Sequence, residues 1–338
     1  MSFDNATDLP IVSVIIPTHN RANLIRETLD CVLAQSYSKL DIIVVDDGST
    51  DDTAKILDEY EDVVRFYRLN GNFGGPCARN LGFRESIGNY VQFLDSDDLL
   101  DPKKIEIQIK YLAGFTDRIA YGPWARFTSD AMGNPVIETI QQVKSLEANE
   151  DVLKKMLEGW FSPSHSYLFP RAVLERVSSS TPWDERLSQN QDIDLMYEVT
   201  LQNPEFIYCP GATVYYRRNP FSVSGKRNMR NLESRILVLE KITKKLRDSE
   251  KMNDYQEAIA NAWLNLAREG YTTDKAKSIA LEKLARNVDP QATPRGKLLY
   301  RLIYRISGFR TAQNLWTLKE AIFSSIRFLC KFPLQGAK

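Results

Sequence analysis

Apolar residues in the first hundred positions fall into short unbroken runs separated by stretches with helical spacing. Val12 to Ile16 is a continuous, largely β-branched run stopped by Pro17, the pattern of a strand buried on both faces of a parallel sheet. Leu24, Ile25, Leu29, Val32 and Leu33 then recur at helical spacing, with Asn20 as a candidate cap, before a second buried run from Ile42 to Val45. The pattern further predicts a helix around Thr53 to Tyr60, a strand at Val63 to Tyr67, a helix around Ala78 to Ser86 and a strand at Tyr90 to Leu94. Such alternation predicts an α/β unit built on an open, mostly parallel sheet, whose ligands sit beyond the carboxyl ends of the strands. Polar clusters fall at those ends, namely Thr18 to Arg21, Asp46 to Asp52 and Asp95 to Asp98.

The pattern changes twice after residue 100. Asp101 and Pro102 suit the N-cap and first position of a helix running through Leu112, whereas residues 115 to 150 show no decisive period. A second organised stretch runs from Trp160 to Ser224, with an apolar helix beginning near Asp192. Beyond Gly225 the composition is helical, with Leu232, Ile236, Leu239 and Ile242 at spacings of three or four. The expected division is therefore a domain over residues 1–225, with halves near 1–100 and 101–225, followed by a helical region over 226–338.

Composition narrows the class. Hydrophobic residues at 43% and charged residues at 26% are ordinary for a folded chain and far from the composition of disorder. A net charge of zero argues against a generally basic nucleic-acid binder, but Arg295 to Lys338 holds nine Lys or Arg against one acid, Glu320. Cys31, Cys77, Cys209 and Cys330 form no C-x-x-C pair, which suggests neither a zinc site nor a disulfide framework and fits a reducing cytoplasm. Residues 1 to 10 do not read as a signal peptide, and no run of about 18 apolar residues predicts a membrane span.

Two acidic segments suggest chemistry. Asp46 and Asp47 end an apolar strand at the sheet edge, where a base or ribose could be read; the alternative is a solvated turn around Gly48 with a helix cap. In LDSDD, Leu94 to Asp98, an extended chain would place Asp95 and Asp97 on one side. Hard oxygen ligands so placed suit Mg²⁺ or Mn²⁺, with a substrate diphosphate completing the shell. The alternative is an acidic loop capping the next helix.

The segments VSVIIPTHNR (12 to 21), IIVVDDGSTDDT (42 to 53), NFGGPCARNLG (72 to 82) and GNYVQFLDSDD (88 to 98), in this order, resemble the nucleotide-sugar half of family 2 glycosyltransferases. WDERLSQNQDIDL (183 to 195) and YYRRNPFSVSG (215 to 225) are similar to the acceptor half. The resemblance implies a GT-A fold, a Rossmann-like, mostly parallel sheet flanked by helices, here with a C-terminal helical appendage. It also implies inverting transfer from a nucleotide sugar, expected to be a UDP-sugar, to a saccharide or lipid-linked saccharide acceptor. Pathways that assemble cell-surface polysaccharide or glycolipid are the implied setting. By the same resemblance, Pro17 and Thr18 would touch the nucleoside, Asp47 the uracil and Asp95 the ribose. Asp97 would hold Mn²⁺ or Mg²⁺ on the diphosphate, Asp46 and Asp98 would contribute beside them, and Arg79 would lie near the donor.

The general base must be a carboxylate that takes the acceptor hydroxyl's proton. Asp192 is expected in that role, because it shares a helical stripe with Leu195, Met196 and Val199 while Asp194 points elsewhere. The alternative is an acid that stabilises a helix N-terminus. Gln191 stands where relatives often have Glu or Asp, and Asn219 where many have His, so Arg217 or Arg218 is the candidate for the diphosphate. His165 is a candidate at the acceptor pocket or a structural histidine, and Trp183 a stacking residue or core.

Rival functions are a sugar-nucleotide nucleotidyltransferase and a silent sugar-nucleotide-binding subunit of an assembly complex. In residues 298–332, Tyr300, Ile303, Tyr304, Phe309, Trp316, Ile322, Phe323, Phe328 and Leu329 alternate with Arg301, Arg305, Arg310, Arg327 and Lys331. That composition predicts peripheral attachment to the cytoplasmic face of a membrane; the alternative is a helical appendage packed on protein.

Overall fold

The computed structural model describes residues 9–130, 135–140, 146, 150–218, 228–294 and 296–331, the last twelve by backbone alone. The chain divides into two compact units, Met1–Gly225 and Lys226–Lys338.

The first unit opens with β1 (Val12–Thr18), α1 (Ile25–Leu33), β2 (Leu40–Asp46), α2 (Thr53–Asp58), β3 (Arg65–Arg68), α3 (Gly75–Glu85) and β4 (Tyr90–Phe93). It continues through β5 (Leu99–Leu100), α4 (Lys104–Leu112), β6 (Arg118–Tyr121), β7 (Trp124–Ser129), β8 (Pro135–Ile137) and α5 (Val152–Leu157). β9 (Phe169–Pro170), α6 (Arg171–Val177), α7 (Gln191–Thr200), β10 (Glu205–Tyr208) and β11 (Val214–Arg217) complete it.

The main sheet has the order β3-β2-β1-β4-β9, parallel except for the short β9. Every residue of β1 is buried, as a central strand covered on both faces requires. Val12, Val14 and Ile16 pack on α1 through Ile25, Leu29 and Val32. On the opposite face Ile15 meets α3 at Gly82, where an added Cβ would lie 2.4 Å from Ile15 Cγ2.

Strand order reverses between β1, which leads to β2 and β3, and β4 on its other side. That switch point opens a crevice at the carboxyl ends of β1 and β4. β1 continues through Pro17 rather than stopping before it. Leu94 N–H donates to Ile15 O, so Ile15 and Pro17 turn their backbones toward β4, but β4 has ended when Pro17 is reached. The missing N–H therefore leaves no ladder bond unmade. Beside this sheet, β5-β11-β7-β8 form a second sheet and β10-β6 a parallel pair.

Three local expectations are corrected. Asn20 does not cap α1; it sits at φ 51° and its Oδ1 accepts from Thr50 N, tying the loop after β1 to the loop after β2. α4 starts at Lys104 because Asp101 Oδ1 accepts from Lys103 N in a turn, with Pro102 ahead of the helix. Asp95 and Asp97 do not share a side of an extended chain; Asp98 N–H donates to Asp95 O and closes a tight turn. Within the stretch that had no decisive period, the described residues include β6, β7 and β8.

The second unit comprises α8 (Met229–Asp248), α9 (Met252–Gly270), α10 (Lys275–Val288) and α11 (Leu298–Lys331), the last broken at Gly308 with φ 81°. Asn228 and Asp274 cap α8 and α10 by accepting from Asn231 N and Lys277 N. The interior is formed by Leu239, Ile242, Trp263, Leu264, Leu281 and Ala285, together with Tyr300, Tyr304 and Phe309 of α11. Arg268 lies over Tyr300 and Arg286 over Tyr304 at ring distances of 4.8 and 5.0 Å. The expectation that Tyr300, Tyr304 and Phe309 meet a membrane is thereby corrected, since their rings fill this unit's own core. Asn219 and residue 332 lie outside the described residues, as do the side chains from Glu320 onward, including Ile322, Phe323, Arg327, Phe328, Leu329 and Lys331.

The fit of Gly82 against Ile15 predicts that Gly82→Ala destabilises the chain by about 1–2 kcal/mol, overpacking outweighing the helix propensity of alanine. Chemical denaturation should show a lower midpoint with an unchanged slope.

Candidate active site

The crevice is lined by the loops that follow β1, β2 and β4, and the acids of those loops have different surroundings. Asp46, the last residue of β2, is fully buried; its Oδ1 accepts from Ser49 N at 2.9 Å and its Oδ2 lies 3.5 Å from Arg68 Nε. It braces the turn at Gly48, where φ is 72° and a Cβ would meet Gly71 backbone at 2.6 Å. Asp47 accepts from Phe73 N and Gly74 N, each at 2.7 Å, and so fixes the loop before α3. Its backbone N–H donates to Thr18 O and its carbonyl meets His19 Nδ1 at 2.8 Å. Pro17 and Thr18 are buried at the end of β1, and Thr18 Oγ1 lacks a protein hydrogen-bond partner.

The loop after β4 concentrates charge. Burial raises the proton affinity of Asp95, but the charge of Arg79 and its hydrogen bond, Nη2 to Oδ1 at 2.5 Å, outweigh it and leave the carboxyl below the usual range. Burial and then Asp95 push Asp97 up, opposed by Arg21, whose Nε lies 3.8 Å from Asp97 Oδ2, and by Arg217. Asp98 is pushed well above the usual carboxylate range by burial, Asp97 and Asp95. Its Oδ1 accepts from Arg217 N at 2.7 Å, and its Oδ2 lies 3.3 Å from His165 Nδ1. His165 is itself buried and pushed down to about 4, so this contact joins two groups that burial favours in their neutral forms.

Arg217 anchors that loop. Its Nε donates to Asp97 O and its Nη1 to Ser129 Oγ, both at 2.7 Å; its Nη2 pairs with Glu27, and its plane lies 4.3 Å from the centre of the Phe127 ring. With these partners the guanidinium binds protein where a diphosphate contact was expected. Arg218 is exposed and pairs with Glu138 at 3.1 Å.

Asp192 stands in the first turn of α7, half-buried, while Asp194 is 1% exposed, the reverse of the expected facing. Burial raises the pKa of Asp192; Asp95 adds to the rise and Arg79 opposes it, so its carboxyl lies within the field of the residues after β4 and on α3. Arg79 joins the two sides directly. Besides Asp95, it donates to Gln191 Oε1 at 2.9 Å and stacks on Trp183 at 4.6 Å. Trp183 is buried, edge-on to Phe93 at 5.0 Å, and acts as core beneath Arg79.

A family-wide sequence profile, glycosyl transferase family 2, matches residues 13–178. Residues 13–178 belong to glycosyltransferase family 2. The putative teichuronic acid biosynthesis glycosyltransferase TuaG of Bacillus subtilis is 35% identical over 153 residues, 44% of this chain and 60% of that protein. An uncharacterized glycosyltransferase of Rickettsia typhi is 47% identical over 104 residues, 30% of this chain and 32% of the relative. The chain spans less than two thirds of the length of either. Residues 1–349 of Staphylococcus aureus TarS superpose with a TM-score of 0.59 at 19% identity, covering 91% of this chain and 92% of that one. The fold is thus that of GT-A glycosyltransferases.

Within the glycosyltransferase domain, Asp97 has the features of a carboxylate ligand for Mn²⁺ or Mg²⁺. Its side chain is 22% exposed, it is an oxygen donor, and its proton affinity is raised by burial and then by Asp95. Among the described residues no cluster of three or more His, Cys, Asp or Glu could hold an ion by itself. A cation held by Asp97 would take the rest of its shell from substrate phosphates and water.

Arg21, the cation that PTHNR places directly after β1, joins the site beside Asp97. Glu27 and Ser129 were unreadable as partners of Arg217, since they lie 190 and 88 positions away. Replacing Arg217 by Met should leave Glu27 unpaired and release the Asp97 carbonyl. The expected cost is about 2–3 kcal/mol, reduced from that of a fully buried pair because Glu27 is partly exposed. Arg217→Lys should recover less than half of it, a lysine being unable to reproduce the fork. Thermal unfolding of the variants checks both values.

Proposed function

We propose that this chain transfers a sugar from a UDP-sugar to a hydroxyl acceptor with inversion, in assembly of a cell-surface polysaccharide or glycolipid. The observation that supports it most is the convergence of Asp192 with Asp95 and Arg79, which sets an acceptor-side carboxylate in the field of the donor-side acids. Two of its relatives point the same way, TuaG by its name and TarS by a solved complex with UDP-GlcNAc.

In this reading the nucleoside lies over Pro17 and Thr18, Asp47 faces the uracil and Asp95 the ribose. Asp97 is the residue that would hold Mn²⁺ or Mg²⁺. A divalent cation bound there would offset the charge that develops on the departing diphosphate. Arg21, 40% exposed beside Asp97, supplies a second positive charge on the same side. Asp192 takes the proton of the acceptor hydroxyl as the oxygen attacks the anomeric carbon, and one displacement inverts the configuration. Neutral Gln191 beside it adds no repulsion and leaves the charge of Arg79 to Asp95.

Two outcomes are expected. Asp97→Asn abolishes metal-dependent binding of UDP in titration calorimetry, whereas Asp192→Asn leaves it within a few-fold of wild type and lowers kcat by about 10²–10⁴. Equal loss of UDP affinity in both variants would contradict the assignment. The raised proton affinity of Asp192 also fixes a sign: the base works deprotonated, so kcat/KM falls as pH drops through a value above the ordinary aspartate range. A pH profile whose acid limb lies at or below that range would remove Asp192 from the role.

A further inference from the structure

The first half of α11 has two unlike faces. Tyr300 and Tyr304 are buried in the core of the helical unit, at 0% and 1% exposure. Leu298, Leu299, Leu302 and Ile306, on the other side, are exposed by 71, 58, 45 and 84%. At 3.6 residues per turn these four fall within an arc of roughly 100°, and Arg301 and Arg305 extend it by roughly 60° along one edge. Soluble surfaces carry single exposed leucines without consequence, but a stripe of four on one helix face is a contact surface.

Charge identifies the contact. Lys297, Arg301, Arg305 and Arg310 are exposed, and no acid occurs in the sequence from Pro290 to Lys319. No helix among the described residues is long and apolar enough to cross a bilayer. We infer that this face of α11 lies on the surface of an anionic lipid bilayer, with Leu298, Leu299, Leu302 and Ile306 in the headgroup boundary and the arginines on lipid phosphates. Placed at the edge of the stripe, Arg301 and Arg305 can lay their stems along apolar surface with the guanidinium groups in the polar layer, as suits a helix lying in the interface plane. Positive charge without acids favours an anionic leaflet over a neutral one. The inference does not rest on the transferase reading, because attachment is independent of substrate.

The test is sedimentation of the full chain with vesicles of phosphatidylcholine and phosphatidylglycerol, or of phosphatidylcholine alone, at low salt. Truncation before Leu298 would remove the buried tyrosines, so surface variants are used. The expected result is that wild type pellets with the anionic vesicles and far less with the neutral ones. The double variants Leu302→Ser with Ile306→Ser, and Arg301→Glu with Arg305→Glu, should each partition about tenfold less. Their thermal unfolding should match wild type, the positions being exposed. The inference is overturned if wild type stays in the supernatant, or if both double variants pellet as wild type does. It is equally overturned if the stripe closes a dimer, seen by sedimentation velocity as a wild-type dimer that the apolar variant converts to monomer.

Discussion

Repulsion among Asp95, Asp97 and Asp98 is the constraint around which the catalytic unit is arranged. Three carboxyls within four residues, withdrawn from bulk water, cannot share one ionised state without compensation. Each is compensated differently. Asp95 is paired with Arg79, Asp97 keeps partial exposure and a longer-range partner in Arg21, and burial raises the proton affinity of Asp98 beside buried His165. The least compensated of the three, Asp97, is the one proposed above as the ligand of a divalent cation. The arrangement separates three identical residue types into three roles by environment alone.

That separation depends on topology. Because the strand order reverses beside β1, the loops after β1 and β4 diverge and leave a crevice where Arg21 and Asp97 approach each other from neighbouring strand ends. The carboxylate of Asp47, accepting from Phe73 N and Gly74 N, closes the adjoining loop, and Asp98 holds β11 against the acid turn through Arg217 N. Two sheets are thereby fastened to one five-residue segment.

Much of this was legible in the chain before its structure. β1 and β2 could be read because both faces of a central parallel strand are buried, so their apolar runs are unbroken. Asp192 and the acid loop could be named, but not their geometry. Asp95 and Asp97 are brought together by the turn that Asp98 N–H closes, not by strand pleating, and two-residue periodicity has no access to such a turn. Within residues 115 to 150, β7 alternates and β8 is wholly exposed, so neither leaves a continuous apolar run. In α11 apolar residues occupy both faces, and no periodicity distinguishes Tyr300 and Tyr304, which are buried, from Leu302 and Ile306, which are not.

Arg79 shows how a substitution in the chemistry-bearing motif is absorbed. With a carboxylate at position 191 its guanidinium would stand between two acids and divide its charge between them. With Gln191 the contact to α7 survives as a neutral hydrogen bond, while the full charge remains on Asp95. Stacking on buried Trp183 fixes the plane of the guanidinium, so both bonds are made from one rotamer. The link between Asp95 and the helix of Asp192 is therefore a neutral hydrogen bond, with the salt bridge of Arg79 made to Asp95 and its charge reaching Asp192 through space. At Asp192 desolvation outweighs the backbone hydrogen bond from Ile193 and the through-space charge of Arg79, and a carboxylate so placed becomes a stronger base.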